Sequence, residues 1–214
     1  MADVLQTMGR PGQVVAPDIC PLDPTMRLAG PALCLKGRAG VTPTRSRGSL
    51  PVYEMDRRVQ PGCVAVIDTG GHAVGAVIGG NVALSFKLRG CQGFVTDGGI
   101  RDADEFRRIG LPVYARFVTP ISSKGLWAFT DLDVPVQLPS YDGGVVDVAP
   151  GDFLLGDSDG VVVIPADWTA IVAEAAERLE ATEARIRHEI EQGRDREDAY
   201  ARHDRFGHVP RPPP

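Results

Sequence analysis

The sequence predicts an α/β protein with a layered β core, flanking helices and one long C-terminal helix. Three observations carry that reading. Apolar runs at residues 63–68, 93–96 and 161–164 have strand length and are bounded by turn residues. Short stretches with helix start and stop residues lie between them. Residues 165–192 form a charged stretch with apolar side chains at helical spacing.

Residues 1–8 read as the end of a helix, stopped by Gly9-Arg10-Pro11-Gly12. Residues 32–35 read as the first core strand, and residues 37–51 as a polar loop. A short amphipathic helix is expected over 53–59, stopped by Gln60-Pro61-Gly62. The apolar run at 63–68 is unbroken, which is typical of a strand covered on both faces. Thr69-Gly70-Gly71-His72 is a turn, and residues 73–78 are a further apolar stretch. A helix follows at 104–110 and a strand at 112–117. Residues 118–133 read as loop with scattered aromatics. Residues 134–136 and 144–148 read as antiparallel strands, with Pro135 marking an edge. Residues 150–152 and 156–160 are turns, so Asp157 and Asp159 are turn residues.

In the last helix, Ile171, Ala175, Leu179, Ile186 and Ile190 approximate one apolar stripe, and Gly193 ends it. The stripe is narrow and the remainder highly charged, which predicts that the distal half packs on another chain. Residues 1–208 read as a single domain and 209–214 as a disordered tail.

A chain of 214 residues can bury a sizeable core. Its 43% hydrophobic and 24% charged content is ordinary for a soluble globular protein. The net charge of −5 gives no electrostatic case for nucleic acid. No apolar run approaches a membrane span, and the start lacks a signal-peptide pattern, so a cytoplasmic location is expected. Cys20, Cys34, Cys63 and Cys91 are widely spaced and read as free thiols, not as a zinc site or a disulfide framework.

Residues 79–106 organise the rest. Two glycines precede Asn81, a residue that caps helices well. Gly90 suits the position past a helix end, with Lys87 and Arg89 in the last turn. Val82, Leu84, Phe86 and Leu88 alternate, however, as in a strand. The caps favour helix and the period favours strand; residues alone leave both open. Asp97-Gly98-Gly99 then turns the chain and delivers Arg101 and Asp102. A helix start, an arginine and a carboxylate in one stretch suit an anion and a metal ion. Asp68, His72 and Asp97 are further candidates for a cleft. His72 and Asp97 read more simply as turn residues.

The same stretch resembles the family that joins class II 4-hydroxy-4-methyl-2-oxoglutarate aldolases to the regulator of ribonuclease E activity A. The matching features are the glycine-led helix start, the Arg89-Gly90 helix end, the Asp97-Gly98 turn and Arg101-Asp102. The resemblance implies a swivelling β/β/α fold and trimers or hexamers with the site between subunits. It implies that Gly79, Gly80, Asn81 and Val82 hold a substrate carboxylate through backbone amides. Arg101 would bind the keto-acid end, and Asp102 would be the protein's ligand to magnesium or manganese. Glu183 matches a catalytic glutamate brought in from a neighbouring subunit. The implied activity is cleavage of 2-keto acids to pyruvate, with oxaloacetate decarboxylation.

One position departs from the pattern. The aldolases carry an acidic residue ahead of the Arg-Asp pair, with twenty residues between, and here that position is Gly80. Two alternatives therefore stand beside the lyase: a non-catalytic regulator that binds ribonuclease E, and an enzyme on this scaffold with another substrate.

Overall fold

The computed structural model describes residues 1–40 and 50–211. In chain order the elements open with α1 (Ala2–Thr7), β1 (Cys20–Pro21), β2 (Leu28–Ala39), α2 (Val52–Arg58) and β3 (Val64–Asp68). The middle holds β4 (Ala76–Ile78), α3 (Gly80–Leu88), β5 (Gly93–Thr96), β6 (Gly99–Ile100), α4 (Ala103–Ile109), β7 (Val113–Ala115) and β8 (Phe117–Val118). Then come β9 (Trp127–Leu132), β10 (Val136–Pro139), β11 (Val145–Val148), β12 (Phe153–Asp157) and β13 (Gly160–Ile164). A 3-10 turn at Ala166–Trp168 leads into α5 (Thr169–Glu191), and α6 (Arg196–Ala201) follows. This is the expected sheet-dominated α/β architecture with a long C-terminal helix.

The main sheet runs β1-β7-β5-β3-β2-β12-β13, with β9 also on β2. Its centre, β2-β3-β5-β7, is parallel. The period-2 rule sorts its side chains onto two faces. On β3, Ala65 and Ile67 face a cluster with Phe86 of α3, Phe94 and Phe106 of α4. Val64 and Val66 face a second cluster, with Val136, Leu138, Val146 and Val148 of the β10–β11 hairpin. Hairpin, main sheet and helices thus stack as β/β/α, and both faces of β3 are dry. That is why its run is apolar without alternation.

Three strand readings change. β2 extends far beyond residues 32–35: it pairs with β12 at its start, β3 in its middle and β9 at its end. A bulge between Lys36 and Gly37 marks the last switch. The expected loop over 118–133 contains β9, whose Trp127 and Phe129 are core residues. β12 occupies residues that resemble a turn, because Gly156 and Asp157 are turn formers by type. Most of the polar loop expected over 37–51 lies outside the described residues.

The last helix keeps its span and, of its expected stripe, Ala175, Leu179 and Ile186. Val172, Ala175, Leu179, Thr182 and Ile186 are buried, while Ile171 and Ile190 are exposed. The buried face packs with Val4, Leu5 and Met8 of the N-terminal segment. The charged distal half finds partners within its own chain. Glu189 pairs with Arg194 at 2.8 Å and His203 at 3.1 Å, and Glu183 pairs with Arg205. Val209, expected in the tail, is buried against α1 and α5. Residues 212–214 lie outside the described residues.

Candidate active site

The alternating stretch at 82–88 is helix. Ala83 and Phe86 are buried and Leu84 and Leu88 are exposed, so the alternation carries no strand burial. A glycine stop closes α3: Gly90 N–H reaches Lys87 O at 2.9 Å and Cys91 N–H reaches Phe86 O at 3.0 Å. This is the 5→2 and 6→1 pattern, with Gly90 at φ +88°. The cap position at the other end belongs to Gly79, not to Asn81, which is already helical. Gly79 has no side chain to cap that end, and Asp102 takes only Gly80 N–H. The first-turn amides of Asn81 and Val82 therefore have no intrahelical partner and point outward with the positive end of the helix dipole.

A small parallel sheet, β4-β6-β8, positions the partners of this helix start. Gly79 follows β4 and Arg101 follows β6, so both leave the sheet at the same end. Arg101 N–H is tied to Ile78 O at 3.2 Å. Asp102 then turns the chain into α4 with φ 60° and ψ 45°. A left-handed non-glycine residue stores strain, and aspartate tolerates that region better than most.

The Asp102 carboxylate lies over the start of α3. Its Oδ2 accepts from Gly80 N–H at 3.0 Å and stands 3.7 Å from Arg101 Nε. Gly79 makes this approach possible. A Cβ there would lie 2.7 Å from Asp102 Oδ2 and 3.0 Å from Arg101 Nε. Sequence, local conformation and site chemistry meet at that glycine. Both charged side chains remain half-exposed, so they can meet a ligand from solvent.

The structure thus brings together Gly79, Gly80, Asn81, Val82, Arg101 and Asp102. Within one chain it does not bring Glu183 to them: Glu183 lies on α5, in the ion pair with Arg205. Asp68, His72 and Asp97 hold the backbone. Asp97 accepts from Thr69 N–H at 2.7 Å and Gly71 N–H at 3.2 Å. Asp68 is buried, pairs with Lys36 at 3.3 Å and accepts from Gly70 N–H at 2.9 Å. His72 Nε2 lies 2.9 Å from Ser123 Oγ and accepts from Gly75 N–H at 3.3 Å. Burial lowers its pKa, against the pull of Asp97.

Sequence reasoning missed Glu105. It sits one helical turn after Asp102, and a Cβ added at Gly80 would lie 2.9 Å from its Cβ and 3.1 Å from its Cγ. Its stem therefore fills the space beside position 80, while its carboxylate pairs with Arg108. The three-residue spacing from Asp102 on a helix was the available signal.

Among the described residues, no group of three His, Cys, Asp or Glu side chains is placed to hold a metal ion. At the start of α3 the carboxylate that faces the helix amides is that of Asp102. That donor set suits magnesium or manganese, which keep waters and take substrate oxygens, and it does not suit zinc.

The family model described as RraA-like, Aldolase/RraA, matches residues 1–163. The chain belongs to that family. A relative from Halalkalibacterium halodurans, provisionally named a 4-hydroxy-4-methyl-2-oxoglutarate aldolase, is 33% identical over 170 residues. The match spans 79% of this chain and 75% of that protein. A 4-hydroxy-4-methyl-2-oxoglutarate aldolase of Thermus thermophilus is 35% identical over 108 residues, 49% of this chain and 60% of its own length. Among solved structures, Streptomyces coelicolor RraAS2, described as an unusual member of the RNase ES inhibitor RraA protein family, aligns with TM-score 0.70 and 31% identity. That alignment covers 85% of this chain and 88% of RraAS2. An uncharacterized protein of Pseudomonas syringae aligns with TM-score 0.79 and 28% identity, covering 93% of this chain and 90% of that one. The family match ends before α5, so Glu183 lies outside it. Among the described residues, no helix is long and apolar enough to cross a membrane.

Proposed function

We propose that this chain is a divalent-metal-dependent lyase that cleaves 4-hydroxy-4-methyl-2-oxoglutarate-type 2-keto acids to pyruvate and decarboxylates oxaloacetate. One observation carries the reading: the start of α3, Arg101 and Asp102 converge at one end of the small sheet, across a glycine. The amides of Asn81 and Val82 hold the substrate carboxylate. Arg101 lies beside the keto-acid end and offsets the negative charge that develops as the carbon–carbon bond breaks. Asp102, oriented by Gly80 N–H, holds the magnesium or manganese ion. When bound, that ion supplies Lewis-acid charge to the substrate oxygens. Glu183 enters from a neighbouring copy in a homotrimer or hexamer.

The test is pyruvate release from both substrates, with magnesium and with chelator. Asp102→Ala is expected to abolish magnesium-stimulated release and to weaken manganese binding in a titration, with an unchanged circular dichroism spectrum. Unchanged turnover in that variant would overturn the metal assignment. Gly80, where the aldolases carry an acid, favours a second reading as a non-catalytic regulator of a ribonuclease. Absence of turnover on both substrates, with manganese bound, would favour that reading or a different substrate.

A further inference from the structure

Two thiols far from Arg101 meet where β3 begins and α3 ends. Gly62 N–H donates to Gly90 O at 2.9 Å, and Gln92 N–H donates to Cys63 O at 2.8 Å. These bonds lay the segment entering β3 against the segment leaving α3. Cys63 and Cys91 both face the helix-side core cluster. The two side chains enter that cluster from adjoining segments. Cys91 Sγ also lies 3.3 Å from Gly93 O, to which its thiol donates.

The two sulfurs differ in access. Cys91 is sealed, with 1% exposure, while Cys63 lines a surface cavity of about 410 Å³ together with Leu33, Arg57, Arg58, Gln60 and Asp133. The neighbouring Cys91 thiol and the backbone around Gln60 hold the Cys63 thiol below the ordinary range, against its burial. The same contact, with burial, pushes Cys91 up. Cys34 has no such partner, and burial drives its thiol up to about 12. Cys20 is exposed, and its thiol donates to Pro17 O at 3.0 Å.

We propose that Cys63 and Cys91 form a peroxide-reactive dithiol, with Cys63 the attacking sulfur and Cys91 the resolving one. The Cys63 thiolate attacks one oxygen of a hydroperoxide. The oxygen–oxygen bond breaks, the leaving hydroxide or alkoxide takes a proton, and Cys63 becomes a sulfenic acid. Cys91 sulfur then attacks the Cys63 sulfur and displaces hydroxide, which takes the Cys91 proton and leaves as water. The peroxide gains two electrons and the two thiols lose them. The product disulfide staples the start of β3 to the exit of α3, the helix whose opposite end faces Arg101. The proposal does not depend on the lyase reading, because its readout is the modification itself.

The test treats the full-length protein with limiting hydrogen peroxide, traps the remaining thiols by alkylation and maps peptides without reduction. The expected product is a Cys63–Cys91 linked peptide lacking two hydrogens. Cys91→Ser is expected to stop at a dimedone-trappable sulfenic acid on Cys63, and Cys63→Ser to leave Cys91 unmodified. The rate is expected to rise with pH at lower values than for free cysteine. Oxidation confined to Cys20, with Cys63 and Cys91 recovered as alkylated thiols, would overturn the proposal. The wild-type map decides this even where a serine variant fails to fold.

Discussion

At Gly79 two side chains cross the backbone where a β-carbon would stand. Gly79→Ala would place that carbon 2.7 Å from Asp102 Oδ2, so the carboxylate must move. Displacement by about 1 Å costs roughly 100-fold in turnover when a group positions a reacting centre. The expected result is such a loss in kcat/KM with little change in Tm, because Gly79 has ordinary extended backbone, φ −149°. Gly80 behaves differently. From sequence alone, Gly80→Asp should restore the missing acid and raise turnover, provided the backbone is not at positive φ. Gly80 is helical, so the backbone allows it, yet the Glu105 stem stands 2.9 Å from the new carbon. The single variant is therefore expected to gain little. The pair Gly80→Asp with Glu105→Gly removes the obstruction and is expected to gain about 10- to 100-fold. Steady-state pyruvate assays on the three variants check both statements. His72 offers a test of stability. Its folded pKa is lowered by burial, so between the folded and unfolded values the unfolded chain binds more protons. Stability is full above the unfolded value, about 6.5, and is lost as pH falls below it. Thermal melts from about pH 7.5 to about pH 5 are expected to show a falling Tm, with a smaller fall in His72→Gln.

Local chemistry made several elements legible and hid others. The turn glycines marked α3, and Gly90 at φ +88° closes it as the sequence indicated. The unbroken run 63–68 announced a strand buried on both faces, and β3 is that strand. β2 was cut short because Gly37 looks like a strand end. A Cβ at Gly37 would lie 2.1 Å from the Trp127 ring, so the glycine admits a core tryptophan. β9 was lost for the same reason: Trp127 and Phe129 pack across a long-range pairing that no local pattern reveals. In the candidate site, Arg101 and Asp102 stood out because the pair after the Asp97-Gly98 turn matches the family's pattern. Glu105 did not, because its importance lies in which backbone its stem covers. The α5 stripe shifted from Ile171 to Val172 because α1 and the C-terminal segment, distant in sequence, choose the buried face. Leu179→Ala in that face is expected to cost about 2–5 kcal/mol, read as a lowered denaturation midpoint. Ile190→Ala, at the exposed side, is expected to cost under about 0.5 kcal/mol.

The apolar surface open to a second copy differs from the one the sequence pointed to. The charged half of α5 is met by α6 and the segment beyond it, so its charge no longer argues for a neighbour. Besides Ile171 and Ile190 on α5, exposed apolar side chains include Val74, Val118 and Ile121, which flank the small sheet β4-β6-β8, and Leu126 in the next loop. Val74 leads into β4, Val118 lies on β8, and Ile121 O accepts from Ala76 N–H at 2.8 Å. The patch therefore borders the sheet that carries Gly79 and Arg101. Covering it with another copy would bury apolar area and bring a second chain near the site. Sedimentation at micromolar concentration is expected to give a trimer or hexamer, and Val118→Asp with Ile121→Asp to give monomer. Glu183 carries its own counter-charge in Arg205, so it would reach a neighbour's site as a compensated pair. Asp102→Ala and Glu183→Gln are each expected to be inactive alone. If the site draws on two chains, co-expressed variants regain about a quarter of wild-type activity in randomly mixed rings. Mixed rings that form and stay inactive would remove Glu183 from the site and leave the chemistry to Arg101, Asp102 and the start of α3.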